Sequence, residues 1–257
     1  MRSFFPVLMV FLLLVAGCGK KEEFSGTPEP PAALPTIAVH KGVDPASTGT
    51  LKGHVLFTGV PPVRKEIPVK GNPECAVFHK GGNVLSEDML VKDGKLKNVF
   101  VWIKEGAEGY DFPVPTEPVT VANKECLYVP HVMGVRTGQP VILLNEDPTL
   151  HNMHSYAKNS KSWNMGLPFQ GMKQTKKFAV SEVMVALKCD VHPWMGGYIG
   201  VVDHPFFAVT AEDGSFEIPG LPAGDYLVEA WHEKLGTQSQ KIRIEPRAAK
   251  EIEFSFA

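Results

Sequence analysis

After residue 47 the apolar residues of this chain fall in short stretches, such as 51–57, 98–103, 118–121, 141–144 and 180–187, each closed by turn-forming residues. No stretch sustains the 3.6-residue period of a long helix. The 24 glycines and 22 prolines supply the punctuation. Segments this short cannot assemble a helical bundle, so the chain is expected to be mainly β. At 257 residues and 44% hydrophobic, it has material for substantial cores, which excludes wholesale disorder. The run Val183-Met184-Val185-Ala186-Leu187-Lys188-Cys189 alternates in the way a half-buried strand does. It predicts Val183, Val185, Leu187 and Cys189 on the core face and Lys188 in water.

The first 47 residues differ in character. Arg2 precedes an apolar run over residues 4–16, too short to span a bilayer and laid out as a secretory signal peptide (1–17). Its end, Leu14-Val15-Ala16-Gly17-Cys18, resembles a bacterial lipobox, which implies lipidation of Cys18 and a membrane anchor. Residues 18–47 are charged and then proline-rich, with Pro28, Pro30, Pro31 and Pro35, and read as a tether. The chain is therefore expected to be exported and anchored by lipid to a bacterial membrane, facing the periplasm or the cell exterior. Beyond the tether, boundaries are expected near 48–118 for an N-terminal β region, 119–203 for a central domain and 204–257 for a C-terminal β module.

Twenty-six Lys and Arg against 28 Asp and Glu leave no broad positive field, so nucleic acid is excluded as a partner class. Four cysteines in an oxidising compartment divide by context. Cys18 is the lipid acceptor and Cys189 sits in a ligand-like run, which leaves Cys75 and Cys126 to pair as a disulfide or to remain two buried thiols.

The chemistry concentrates in Cys189-Asp190-Val191-His192-Pro193-Trp194-Met195, where a thiolate, an imidazole and a thioether recur every third residue. Sulfur donors suit Cu(I) and imidazole suits both Cu(I) and Cu(II), so a site mixing them holds either oxidation state. A second imidazole is needed. His151 supplies it, following the turn Asn145-Glu146-Asp147-Pro148 at the end of an apolar strand. Zinc fits this donor set poorly as a closed structural site. A binuclear copper centre would need a second cysteine in the loop, which has only Cys189.

The order His151-Asn152, a long interval, then C-x2-H-x2-M resembles the cupredoxins, the type 1 blue-copper proteins, in their amicyanin- and plastocyanin-like form. The resemblance covers about residues 119–203 and implies a Greek-key β-sandwich holding one type 1 copper through His151, Cys189, His192 and Met195. It further implies that Asn152 ties the two ligand loops together. His154 matches a second histidine that is not a ligand in that family, and His131 reads as a satisfied sandwich histidine. Of the remaining methionines between 133 and 195, most are expected to fill core volume. The chain departs from the family in its extra β material on both sides. At its C-terminal end, Asp213-Gly214-Ser215-Phe216 followed by Leu221-Pro222-Ala223-Gly224-Asp225-Tyr226 resembles the transthyretin-like or carboxypeptidase-regulatory-like module, which carries no chemistry.

These readings lead to a membrane-anchored mononuclear copper protein that carries single electrons and is not an enzyme. His192 is expected to be the ligand nearest the surface, with Pro193 and Trp194 forming a patch for a redox protein such as a c-type cytochrome or oxidase. A copper carrier or sensor without redox turnover and a structural surface lipoprotein are the competing readings.

Overall fold

The structure is a computed structural model that describes residues 42–69, 71–80 and 83–257. The expected signal peptide, Cys18 and most of the tether lie outside the described residues. The N-terminal part supplies β1 (Thr48–Phe57), β2 (Glu66–Pro68), the one-turn helix α1 (Pro73–Ala76), β3 (Asn83–Leu85), β4 (Val91–Lys92), β5 (Lys95–Leu96) and β6 (Phe100–Glu105). The middle supplies β7 (Val119–Lys124), β8 (Leu127–Val129), β9 (Val132–Arg136), β10 (Val141–Asn145), β11 (His151–Tyr156), β12 (Asn164–Leu167), β13 (Lys173–Lys176), β14 (Glu182–Lys188) and β15 (Gly196–Val202). The last part supplies β16 (Phe207–Val209), β17 (Ser215–Pro222), β18 (Gly224–His232), β19 (Gly236–Ile244) and β20 (Ala249–Phe256). The fold is mainly β, as the short apolar stretches predict. Among the described residues no helix is long and apolar enough to cross a membrane.

Two sandwiches are built from these strands. In the first, the sheet β13-β10-β7-β8 faces the sheet β12-β11-β14-β15-β9 across a core that includes Val121, Leu143, Met153, Val185, Leu187 and Ile199. In the second, β17-β1-β5-β4, with β20 alongside β1, faces β16-β6-β18-β19 across Leu51, Val101, Ile218, Val228 and Phe254. The strands before residue 118 are expected to form an N-terminal β region. They join the C-terminal strands: β1 runs antiparallel to β17 and parallel to β20, and β6 pairs with β16 and β18. Residues 204–257 thus do not close a core alone, because the two ends of the described chain share one sandwich.

Strand alternation also explains how the sandwiches meet. Along β6, Val101 and Ile103 enter the second core, while Phe100 and Trp102 point the other way into a seam with Val132 and Val202. A strand buried on both faces reads as a continuous apolar run, and Phe100-Val101-Trp102-Ile103 is one. Gly134 and Gly200 are cross-strand partners between β9 and β15 on the seam side. A Cβ at Gly200 would lie 2.4 Å from Phe100, and one at Gly134 would lie 2.3 Å from Phe207. The glycine pair is therefore the slot that admits the two rings. Gly200→Ala is expected to destabilise by about 1–3 kcal/mol through overpacking, seen as a lower urea midpoint at unchanged slope. Gly166→Ala, where a Cβ meets nothing within 4 Å, is the neutral control.

The strand β14 and Cys189 just after it follow the predicted alternation over Val185, Leu187 and Cys189, all buried, with Lys188 exposed. Val183 departs from it. A register irregularity between Glu182 and Val185 breaks the alternation, and Val183 packs into the seam instead. His131 is held at the same seam, with Nε2 hydrogen-bonded to Glu233 and its ring edge-on to Tyr198. Burial lowers the affinity of its imidazole for a proton, but the Glu233 and Glu87 carboxylates, with a backbone hydrogen bond at Gly196, together outweigh burial and the pKa is raised. Met133 and Met153 are buried in the first core, where they fill volume.

Candidate metal centre

One end of the first sandwich gathers the sequence-predicted ligands. His151 opens β11 after a turn that its neighbours fix. The Asn145 amide donates to the carbonyls of Thr149 and Leu167 at 2.8 Å each, and its Oδ1 accepts from Asp147 N–H at 3.0 Å. Aspartate and asparagine side chains commonly organise turns in this way. Asp147 is itself buried and accepts from the backbone N–H of Glu125 (2.7 Å) and Cys126 (2.9 Å) and from His151 Nε2 (2.9 Å). These three donors hold its carboxyl below the usual range despite burial, which alone would raise it. An ionised acceptor on Nε2 fixes the proton there and leaves the Nδ1 lone pair of His151 free to face inward.

The second ligand loop leaves β14 and returns as β15. Its ends are clasped by Cys189 N–H to Met195 O (3.2 Å) and Met195 N–H to His192 O (2.9 Å). Nδ1 of His192 lies 3.0 Å from Nδ1 of His151 and 3.8 Å from Cys189 Sγ. One ligand atom from each of the three residues falls within 4.8 Å of the others. Two imidazole nitrogens on one tetrahedral first-row metal would be separated by about 3.3 Å, and a nitrogen and a thiolate sulfur by about 3.6 Å. The observed spacings lie within about 0.3 Å of those values, so this donor set fits a single ion. Met195 is 1% exposed and packs in the core that contains Cys189.

The electrostatics agree with the geometry. Burial pushes the Cys189 thiol up, but hydrogen bonds from His151, His192 and the backbone outweigh it and bring the pKa down to about 5. The sulfur is thereby prepared to ligate as thiolate. Asn152 bridges the two loops: its Oδ1 accepts from Asp190 N–H at 2.7 Å and lies 3.3 Å from Cys189 Sγ. Its Nδ2 donates to Asn164 Oδ1 and Asp190 Oδ2. Tyr128 donates its hydroxyl to Asn152 O at 2.6 Å and anchors the same strand from below.

The four predicted ligands are buried together, with His151 at 0% and His192 at 3% exposed. His154 stays outside the cluster, half-buried with Nδ1 3.3 Å from Asp190 Oδ1. Pro193 is exposed, whereas Trp194 is half-buried and donates Nε1–H to Cys126 O at 3.1 Å. Cys75 and Cys126 form the disulfide, with Cα atoms 5.7 Å apart.

Sequence reasoning passed over Asp147, read there only as a turn residue. Its position four residues before His151 was the available signal. Nothing in the sequence indicated that Cys126 Sγ would approach His151 Nε2 to 4.0 Å. Asp147→Ala is expected to weaken metal affinity about 10–100-fold by releasing the imidazole, as measured by competition with a chelator.

No protein-family model matches the chain, and no curated protein matches it either. Among solved structures, similarity extends to a copper-containing nitrite reductase from Thermus scotoductus SA-01, 22% identical over 39% of this chain and 26% of that one, with a TM-score of 0.32. A purple cupredoxin from Nitrosopumilus maritimus is 23% identical over 32% of this chain and 98% of its own, with a TM-score of 0.28. A reduced Cu(I) form of an amicyanin variant is 21% identical over 34% of this chain and 85% of its own, with a TM-score of 0.30. The matched region spans about a quarter of the nitrite reductase and about a third of the present chain.

Proposed function

We propose that this chain is an exported, lipid-anchored protein that holds one copper ion of type 1 and passes single electrons between redox partners. The observation that carries the reading is the convergence of His151, His192 and Cys189 ligand atoms at metal-binding distances among buried side chains, in a core that also includes Met195. When bound, copper supplies the one-electron couple between Cu(II) and Cu(I). The protein supplies rigidity. Asp147 fixes His151, Asn152 clasps the cysteine loop, and the backbone bonds across that loop hold His192, so the donors need move little between oxidation states. Burial of all four side chains keeps solvent from the sulfur.

Access for a partner is through the ligand loops. Pro193, together with the exposed side chains of Leu150 and Val191, offers apolar surface beside His151 and His192 for transient docking of a c-type cytochrome or an oxidase. Trp194 contributes less to that face than expected because its indole is bonded into the disulfide-bearing loop. No substrate is turned over.

The test is the absorption spectrum of the full-length protein loaded with Cu(II). An intense thiolate-to-copper band in the visible and a reversible one-electron wave are expected. Tight Cu(I) binding and transfer to an acceptor without that band would instead establish a copper carrier, and failure to bind copper would leave a structural lipoprotein.

A further inference from the structure

The Cys75–Cys126 disulfide is not remote from the metal centre. Cys126 Sγ lies 4.0 Å from His151 Nε2, and that nitrogen already bonds Asp147 Oδ2 at 2.9 Å. One ligand atom each from Cys126, Asp147 and His151 fall within 4.8 Å of one another, and all three residues are buried. The imidazole of His151 therefore has donor groups on both edges: Cys189 and His192 at Nδ1, and Asp147 and Cys126 at Nε2. In the disulfide, the Cys126 sulfur is neutral and bonded to Cys75, which makes it a poor ligand.

We propose that reducing the Cys75–Cys126 disulfide opens a second site, for a soft divalent cation, built from the sulfurs of Cys75 and Cys126, the Asp147 carboxylate and His151 Nε2. Two thiolates, one imidazole and one carboxylate make a four-coordinate set of the kind that zinc and cadmium accept. The chemistry balances with a dithiol as reductant. The dithiol gives two electrons and two protons, the Cys75–Cys126 bond breaks, two thiols form and the reductant closes its own disulfide. Cation binding then releases both thiol protons to solvent, and the His151 proton moves from Nε2 to Nδ1. Asp147 keeps its bonds from the backbone N–H of Glu125 and Cys126 throughout.

A neutral imidazole offers one lone pair. Occupying the Nε2 edge accordingly withdraws His151 from the first site, so the two sites compete for a single ligand. A thiol-reducing environment would draw the protein away from copper toward a soft divalent ion, and the disulfide keeps His151 committed to Nδ1 coordination.

This inference shares His151 with the copper reading, so its test removes the first site. Full-length protein carrying Cys189→Ser is prepared oxidised, and again after anaerobic treatment with dithiothreitol and removal of the reagent, and each form is titrated with Cd2+. The reduced form is expected to show an ultraviolet thiolate-to-cadmium band and bind one ion with a rise in melting temperature, and the oxidised form neither. Adding Asp147→Ala or His151→Ala is expected to weaken binding at least tenfold. Absence of the band in the reduced form would overturn the proposal. So would a band unaffected by both alanine variants, which signifies a bare dithiol pair, or a reduced chain that no longer melts cooperatively with Cd2+ present. None of these outcomes bears on the copper spectrum of the unsubstituted protein, so the two readings fail separately.

Discussion

Cys189→Ser is expected to eliminate the visible copper band entirely and to lower copper affinity by orders of magnitude. In the proposed type 1 site the band would arise from charge transfer out of a thiolate, and a serine hydroxyl neither ionises at neutral pH nor donates from sulfur orbitals. The lowered thiol pKa of about 5 shows how far the surroundings favour the anion at this position. Serine is close in size to cysteine, and its hydroxyl can keep an acceptor in Asn152 Oδ1, which lies 3.3 Å from Sγ. The fold should therefore persist, and melting temperature is the control. Met195→Leu separates the role of the thioether from that of the thiolate. A weak axial thioether favours Cu(II) slightly, so the leucine variant is expected to keep the band while its reduction potential rises. Retention of the band in Cys189→Ser would show that the sulfur is not a ligand.

The second large effect is expected from the disulfide. Replacing both Cys75 and Cys126 with serine frees a loop of sequence separation 51 in the unfolded chain. In the chain-entropy view this destabilises by about 4 kcal/mol, a shift of roughly a thousandfold in the folding equilibrium. The segment it ties down includes Val69, Cys75 and Val84, which are buried in the first core, with Ile67 and Phe78 packed against them. Chemical denaturation should show the loss as a lower midpoint. A fall of less than about 1 kcal/mol would mean that packing alone retains this segment. The substitution also removes the sulfur beside His151 Nε2, yet Asp147 remains, so copper affinity is expected to change far less than in Asp147→Ala.

Local pattern carried part of this into view. The apolar stretches at 51–57 and 141–144, and that at 180–187 from Glu182 onward, are strands because each is too short for a long helix and its side chains alternate between two environments. The alternation from Val185 to Cys189 placed the sulfur inward. The candidate donors could be picked out because one loop carries three of them at fixed spacing, and short loops bring neighbours in sequence together in space. The pairing of β1 with β20 could not be read in the same way. Nearly 200 residues separate them, and a strand's own sequence does not name its partner. The direction of Val183 was likewise set by an irregularity in pairing and not by the residue itself.

The sequence by itself determined the mainly β character, the inward face of the cysteine strand and the donor types within residues 189–195. These are local properties, fixed by side-chain chemistry and by the two-residue period of a strand. Only the tertiary structure decided that both chain ends share one sandwich, that Asp147 orients His151, and that the disulfide lies against the far edge of that imidazole. Each of those depends on distances between segments brought together by burial, and burial is optimised over the whole core and not along any stretch of chain.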